Sequence, residues 1–95
     1  MSRVSGKPYF VYVMWSGIGR CFDVGISEDP KKRLDQHNQI PRGWTARFRP
    51  WTLIHTERYE NYQSARRREI ELKRQKSGRG FFSRTGLNPE QFRDR

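Results

Sequence analysis

Between Tyr12 and Glu69 the chain carries side chains that can act on a phosphodiester: Tyr12, Arg33, His37 and Glu69, with Gly25 among them. A guanidinium forks onto phosphate oxygens and stabilises charge growing on them during displacement. A histidine places or moves a proton near neutral pH. A phenol can orient an attacking water or take its proton, and a carboxylate can hold a divalent ion over the phosphate. A glycine near a strand end marks a close approach to the backbone or a bend. Each residue also has a plainer reading. Arg33 and His37 can form a solvated basic helix face, and Tyr12 can be a core phenol with one hydrogen bond. Glu69 is the sharpest signal, because a carboxylate on an inward helix stripe is costly without a partner. It either pairs with Arg33 or another cation, or holds a metal ion. His55, between Ile54 and Thr56, reads as a structural or surface residue.

These residues need elements to position them. Residues 1–8 are polar, contain Gly6 and Pro8, and read as a flexible lead-in. The run 9–15, YFVYVMW, is β-branched and aromatic and predicts a strand buried on both faces. Ser16-Gly17-Ile18-Gly19 is a turn, and 20–26 predicts a second strand, making a hairpin. Alternation puts Phe22, Val24 and Ile26 on one face, with Cys21, Asp23 and Gly25 on the other. Residues 29–38 predict a helix with Asp29 as N-cap and Pro30 in the first helical position. Arg33 and His37 are then i, i+4 neighbours on one face. Residues 39–50, with Pro41, Gly43 and Pro50, form a loop, and 51–58 a third strand. The longest helix spans 61–76 from an Asn61 cap, with Tyr62, Ala65, Glu69 and Leu72 in one inward stripe. The compact domain is expected over 9–87. A C-terminal tail follows at 88–95, and the apolar residues Phe81, Phe82, Leu87 and Phe92 are expected to dock on the body.

Composition narrows the partners. Ninety-five residues form one domain with one modest core. Lys and Arg number 20 against 10 Asp and Glu, a formal net charge of +10, which favours a polyanion. Basic groups interleaved with aromatics lie in the loop, at Arg42, Arg47 and Arg49, and along the last helix, at Arg66, Arg67, Arg68, Lys73 and Arg74. These suit phosphate neutralisation, so DNA is the expected partner. Trp44, Phe48 and Trp51 read as core residues. Cys21 is the single cysteine, which excludes an intrachain disulfide and a Cys/His zinc site. No apolar run approaches the roughly 20 residues of a membrane span, and no secretory leader is visible. An intracellular, cytoplasmic protein is expected.

The ordered series resembles the GIY-YIG nuclease superfamily, especially its small stand-alone bacterial-type members. Phe10-Val11-Tyr12 falls at the first motif and Asp23-Val24-Gly25 at the second. Arg33 and His37 follow within GISEDPKKRLDQHN. RPWTLIHTE matches the strand after the central loop, and ARRREIELK matches the helix with the family's acidic residue, at Glu69. The match covers about residues 8–87. The resemblance implies an α/β fold with a central three-stranded antiparallel sheet flanked by helices, in the order β-β-α-β-α plus a short C-terminal helix. It implies Mg²⁺ or Mn²⁺ at Glu69, Arg33 stabilising the transition state, and Tyr12 with His37 activating or placing water.

The chain departs from the family pattern at Asp23, where the second motif has tyrosine. Asp23 accepts the proton in place of the phenol, or adds a metal ligand, or marks a site retained for binding. Val24 replaces the second motif's isoleucine, while Phe10 and Val11 replace the glycine and isoleucine of the first. The expected function is metal-dependent DNA endonuclease activity. With no appended recognition domain visible, the target is expected to be branched, flapped or nicked DNA in repair or recombination. The alternative is a catalytically impaired module on the same fold that binds nucleic acid without cutting. The motifs name a chemistry but no target sequence and no oligomeric state.

Overall fold

The computed structural model describes residues 7–39, 43–75 and 78–92. The run YFVYVMWS forms strand β1 (Tyr9–Ser16), and a turn over 17–20 reverses the chain into β2 (Cys21–Ser27). Strand β3 (Trp51–Tyr59) pairs antiparallel with the other edge of β1, giving the sheet order β2-β1-β3. The central place of β1 explains its unbroken apolar run, since Val11, Tyr12, Val13 and Met14 are all buried. The β1–β3 register shifts where Val13 pairs with His55 and Met14 with Leu53, leaving Ile54 as the extra residue of a bulge.

Helices cover both faces. Helix α1 (Pro30–Gln39) starts at Asp29, whose Oδ1 accepts from the Lys32 amide at 3.1 Å. Helix α2 (Tyr62–Arg74) starts at Asn61, whose Oδ1 accepts from the Ser64 amide at 2.8 Å. Both caps satisfy an amide that the first helical turn leaves without a partner. Helix α3 (Arg79–Thr85) ends at Gly86, whose φ of 78° lies in the left-handed region glycine adopts without strain. On one face of the sheet, Val11, Val13, Phe22 and Val24 pack with Ala65 and Leu72 of α2 and Phe81 of α3. On the other, Tyr12, Met14 and Trp51 pack with Leu34 of α1 and with Phe48 from a 3₁₀ turn, Thr45–Phe48. The face assignment made from alternation along β2 therefore holds.

Several expectations shift. The loop expected over 39–50 contains the Thr45–Phe48 turn, while Pro41 and Arg42 lie outside the described residues. Helix α2 ends at Arg74, because the Gln75 amide turns back to the Leu72 and Lys73 carbonyls. Phe92, within the expected tail, docks on the body as expected. A 3₁₀ turn, Pro89–Phe92, sets the Phe92 ring 5.0 Å from Trp15 and 5.2 Å from Phe22, completing the aromatic cluster. Trp51 is core as expected, but Trp44 is half exposed. Among the described residues no helix is long and apolar enough to cross a membrane.

Candidate active site

The site begins with two strands in register. Tyr12 of β1 pairs with Gly25 of β2, and directly opposed residues project to the same side of a sheet. The Tyr12 phenol lies across Gly25, so closely that a Cβ there would collide with the hydroxyl and the ring. Gly25 is thus required by the tyrosine. Asp23, two residues earlier on β2, points to the same side and lines the same cleft.

Helix α1 supplies the next two groups. His37 is buried, and its imidazole stands edge-on between Tyr12 and Trp51, with ring centroids at 6.2 and 5.9 Å. Its Nε2 lies 2.7 Å from Asp23 Oδ2, and its Nδ1 lies 3.1 Å from the Arg33 carbonyl oxygen. One turn earlier, the Arg33 side chain reaches the Tyr12 hydroxyl. Burial raises the Tyr12 phenol, the Asp23 charge raises it further, and the Arg33 hydrogen bond and charge only partly oppose them. The result is a phenol pushed up to about 12. Helix α1 is fixed to the sheet by Asn38, whose amide Nδ2 donates to the Trp51 carbonyl at 3.1 Å. Its Oδ1 accepts from the Trp51 amide at 2.6 Å. Nothing in the sequence motifs marked this clasp. The AspGlnHisAsn segment carried a polar residue at the end of a helix facing a strand start, and that was the available signal.

Helix α2 brings Glu69. Its carboxylate is 10% exposed, yet it lines the cleft with Tyr12, Asp23 and Arg33. Arg66 donates to Oε1 at 2.6 Å and Lys73 lies 3.2 Å from Oε2, one turn to either side. The partner open between Arg33 and another cation is therefore this local pair, since i, i+3 and i, i+4 neighbours share a helix face. Both cations are half exposed, so their heads can swing to a phosphate while Glu69 stays in place. Among the described residues no three His, Cys, Asp or Glu side chains gather as a metal cage. A carboxylate lining an open cleft fits a hard ion such as Mg²⁺ or Mn²⁺. Such ions take one or two carboxylates and complete their shell with water and phosphate oxygens.

The cleft, about 1180 Å³, is also lined by Lys7, Lys32, Arg66, Lys73, Tyr9 and Tyr62. Tyr62 was expected in the inward stripe of α2. It is instead 51% exposed, with its ring against Tyr9 at a centroid distance of 5.5 Å, because the first turn of α2 overhangs the cleft. The structure thus gathers Tyr12, Asp23, Gly25, Arg33, His37 and Glu69 on one cleft. Of the basic residues expected on a nucleic-acid face, Arg66 and Lys73 line it. Arg67 and Arg74 are exposed on α2, while Arg47 and Arg49 are exposed at the 3₁₀ turn. Arg42 lies outside the described residues. Arg68 is a correction, because its guanidinium is used elsewhere. It grips Glu57 at 2.8 and 3.0 Å, Glu71 at 3.0 Å and the Arg84 carbonyl at 2.8 Å, joining β3, α2 and α3. His55 belongs to the same network, with Nε2 2.8 Å from Glu57.

Comparison with known proteins gives one positive result. The family model described as the GIY-YIG catalytic domain matches residues 8–81 of the 95. No curated protein and no solved structure gives a significant match.

Proposed function

The chain belongs to the GIY-YIG catalytic-domain family of nucleases, and from that membership we propose that it is a divalent-metal-dependent endonuclease hydrolysing DNA phosphodiester bonds. The carrying observation is that four polar groups from four elements, Tyr12 of β1, Asp23 of β2, Arg33 of α1 and Glu69 of α2, meet in a cleft rimmed by cations. Arg33, on the cleft beside the Tyr12 hydroxyl, is the proposed partner of the phosphate oxygens. Its planar fork opposes the charge that builds on the phosphoryl oxygens as a fifth ligand approaches phosphorus. Glu69 would hold Mg²⁺ or Mn²⁺, which would supply positive charge to the phosphate and the departing oxygen. Tyr12, still a phenol at neutral pH, offers its hydroxyl to position water or a phosphate oxygen.

Arg66, Lys73, Arg67 and Arg74 along α2, with Arg47 and Arg49 beyond the cleft, are the proposed track for the DNA backbone. Trp44 and Tyr62, each about half exposed, are the side chains that can stack on unpaired bases. They support a preference for flapped, branched or nicked DNA, and hence a role in repair or recombination. A second reading rests on Asp23 in the place of the family's tyrosine: a module that binds DNA without cutting it.

The deciding experiment is cleavage of labelled linear, flapped and four-way DNA with Mg²⁺ or Mn²⁺, alongside chelator and Glu69→Ala controls. Metal-dependent product that disappears with Glu69→Ala supports the endonuclease. Salt-sensitive binding without product under either metal supports the binding module, and Asp23→Tyr is then expected to restore cutting.

A further inference from the structure

Resting on the endonuclease reading, we propose that Asp23 is the residue that takes the proton from the attacking water, and that His37 acts only to hold it. Three observations carry this. First, both ring nitrogens of His37 are engaged, Nε2 with Asp23 Oδ2 at 2.7 Å and Nδ1 with the Arg33 carbonyl at 3.1 Å. Both nitrogens face protein oxygens, so neither is turned to the cleft, whichever of them carries the proton. With the residue only 8% exposed, it is a buried anchor.

Second, the anchor leaves half of the carboxylate available. Asp23 is 22% exposed along its side chain and lines the cleft, and its Oδ1 has no protein partner among the described residues. A carboxylate with one oxygen fixed by a histidine and the other open to a phosphate-sized cleft can meet water in a defined direction. Third, Tyr12 is poorly suited to accept a proton. A phenol pushed up to about 12 is ionised in roughly one molecule in 10⁵ at neutral pH. Its hydroxyl therefore donates, and the nearby proton acceptor with an open oxygen is Asp23.

The step balances simply. Water oxygen bonds to phosphorus, the bond from phosphorus to the departing deoxyribose oxygen breaks, and one water proton passes to Asp23 Oδ1. The departing oxygen collects a proton from solvent, and Asp23 returns its own to solvent before the next turnover. The aspartate at the second-motif tyrosine position is then a working substitution, with its carboxylate as the proton acceptor.

The test compares wild type, Asp23→Asn, Asp23→Gly and His37→Gln on the best DNA substrate found, measuring kcat, KM and DNA binding separately. Asp23→Asn keeps the shape and an acceptor for His37, and a thermal melt verifies its fold. The expected result is a fall in kcat of at least about 100-fold for Asp23→Asn, with DNA affinity within about threefold. Formate added to Asp23→Gly restores part of the rate. His37→Gln loses less, about tenfold, and nitrogen-15 NMR of the wild-type imidazole shows an Nε2 hydrogen bond that Asp23→Asn weakens. Asp23→Asn cutting within threefold of wild type, or formate without effect on Asp23→Gly, overturns the proposal while leaving the nuclease reading intact. A wild type that never cuts overturns both.

Discussion

The Tyr12 ring occupies the space that a side chain at Gly25 would need. The two residues are opposed across β1 and β2, and the glycine is buried beneath the phenol. The phenol is thereby held against the sheet, with its hydroxyl toward Arg33 and Asp23. Gly25→Ala should therefore displace Tyr12 and cost about 1–3 kcal/mol of stability, as overpacking does. Tyr12→Ala made in the same chain should relieve part of that cost. A double-mutant cycle by urea unfolding reads the coupling, and strictly additive losses would show that the ring does not press on the glycine.

Replacing Glu69 separates binding from chemistry. Glu69→Gln should lower kcat by at least about 100-fold, the size expected when a metal ligand is lost. It also frees Arg66 and Lys73, so affinity for a DNA duplex should hold or rise at low salt. Filter binding alongside cleavage checks both, and a joint loss of affinity and activity would place Glu69 in DNA recognition instead.

The Tyr12 hydroxyl should titrate late. Burial, reinforced by the Asp23 charge, pushes this phenol up to about 12, so an ultraviolet alkaline titration should show one tyrosine ionising near that pH. Tyr12→Phe should remove that step and leave the lower ones. A titration already complete by about pH 10.5, near the ordinary tyrosine range, would contradict the buried phenol.

Acid should loosen the α3 side of the molecule through Glu57. Burial alone would raise this carboxyl, but hydrogen bonds from His55, Arg68 and Tyr59, with the Arg68 charge, outweigh it and hold it at about 2 instead of 4.5. The lowered value means that the ionised form is favoured in the folded chain. The stabilisation is present in full above about pH 4.5 and is lost as pH falls toward about 2. Its size is on the order of 2–3 kcal/mol. Thermal melts between pH 6 and pH 2 should show a steeper fall for wild type than for Glu57→Gln.

The Asn38 clasp should matter for activity without touching substrate. Asn38→Ala leaves the Trp51 amide and carbonyl without partners and should cost about 1–3 kcal/mol. Because α1 carries Arg33 and His37, kcat should fall more than DNA affinity does. Urea unfolding and cleavage assays read the two effects.

The amino-acid sequence by itself determined the strands, the helices, their caps and the faces along β2. Those follow from local rules: alternation along a strand, a 3.6-residue stripe, and Asp29 and Asn61 at helix starts. It also placed Arg33 and His37 on one face and Glu69 in an inward stripe, so the content of the site was legible before its geometry. The partners were not. Asp23 meets His37 across 14 positions, from β2 to α1, and that contact exists only because the β1–β2 hairpin and α1 pack on the same face of Tyr12. The pairs of Glu69 with Arg66 and Lys73 are local to α2, but only the packing of that helix on the sheet brings the carboxylate to the cleft that Tyr12, Asp23 and Arg33 line. Arg68 looked like its neighbours in sequence, yet the turn of the helix aimed it at Glu57 and away from the cleft. Local preference fixes which way a side chain leaves its own element. Only the assembly of the sheet, α1 and α2 decides which opposite charge waits there, because that choice depends on distances between segments that no local rule encodes.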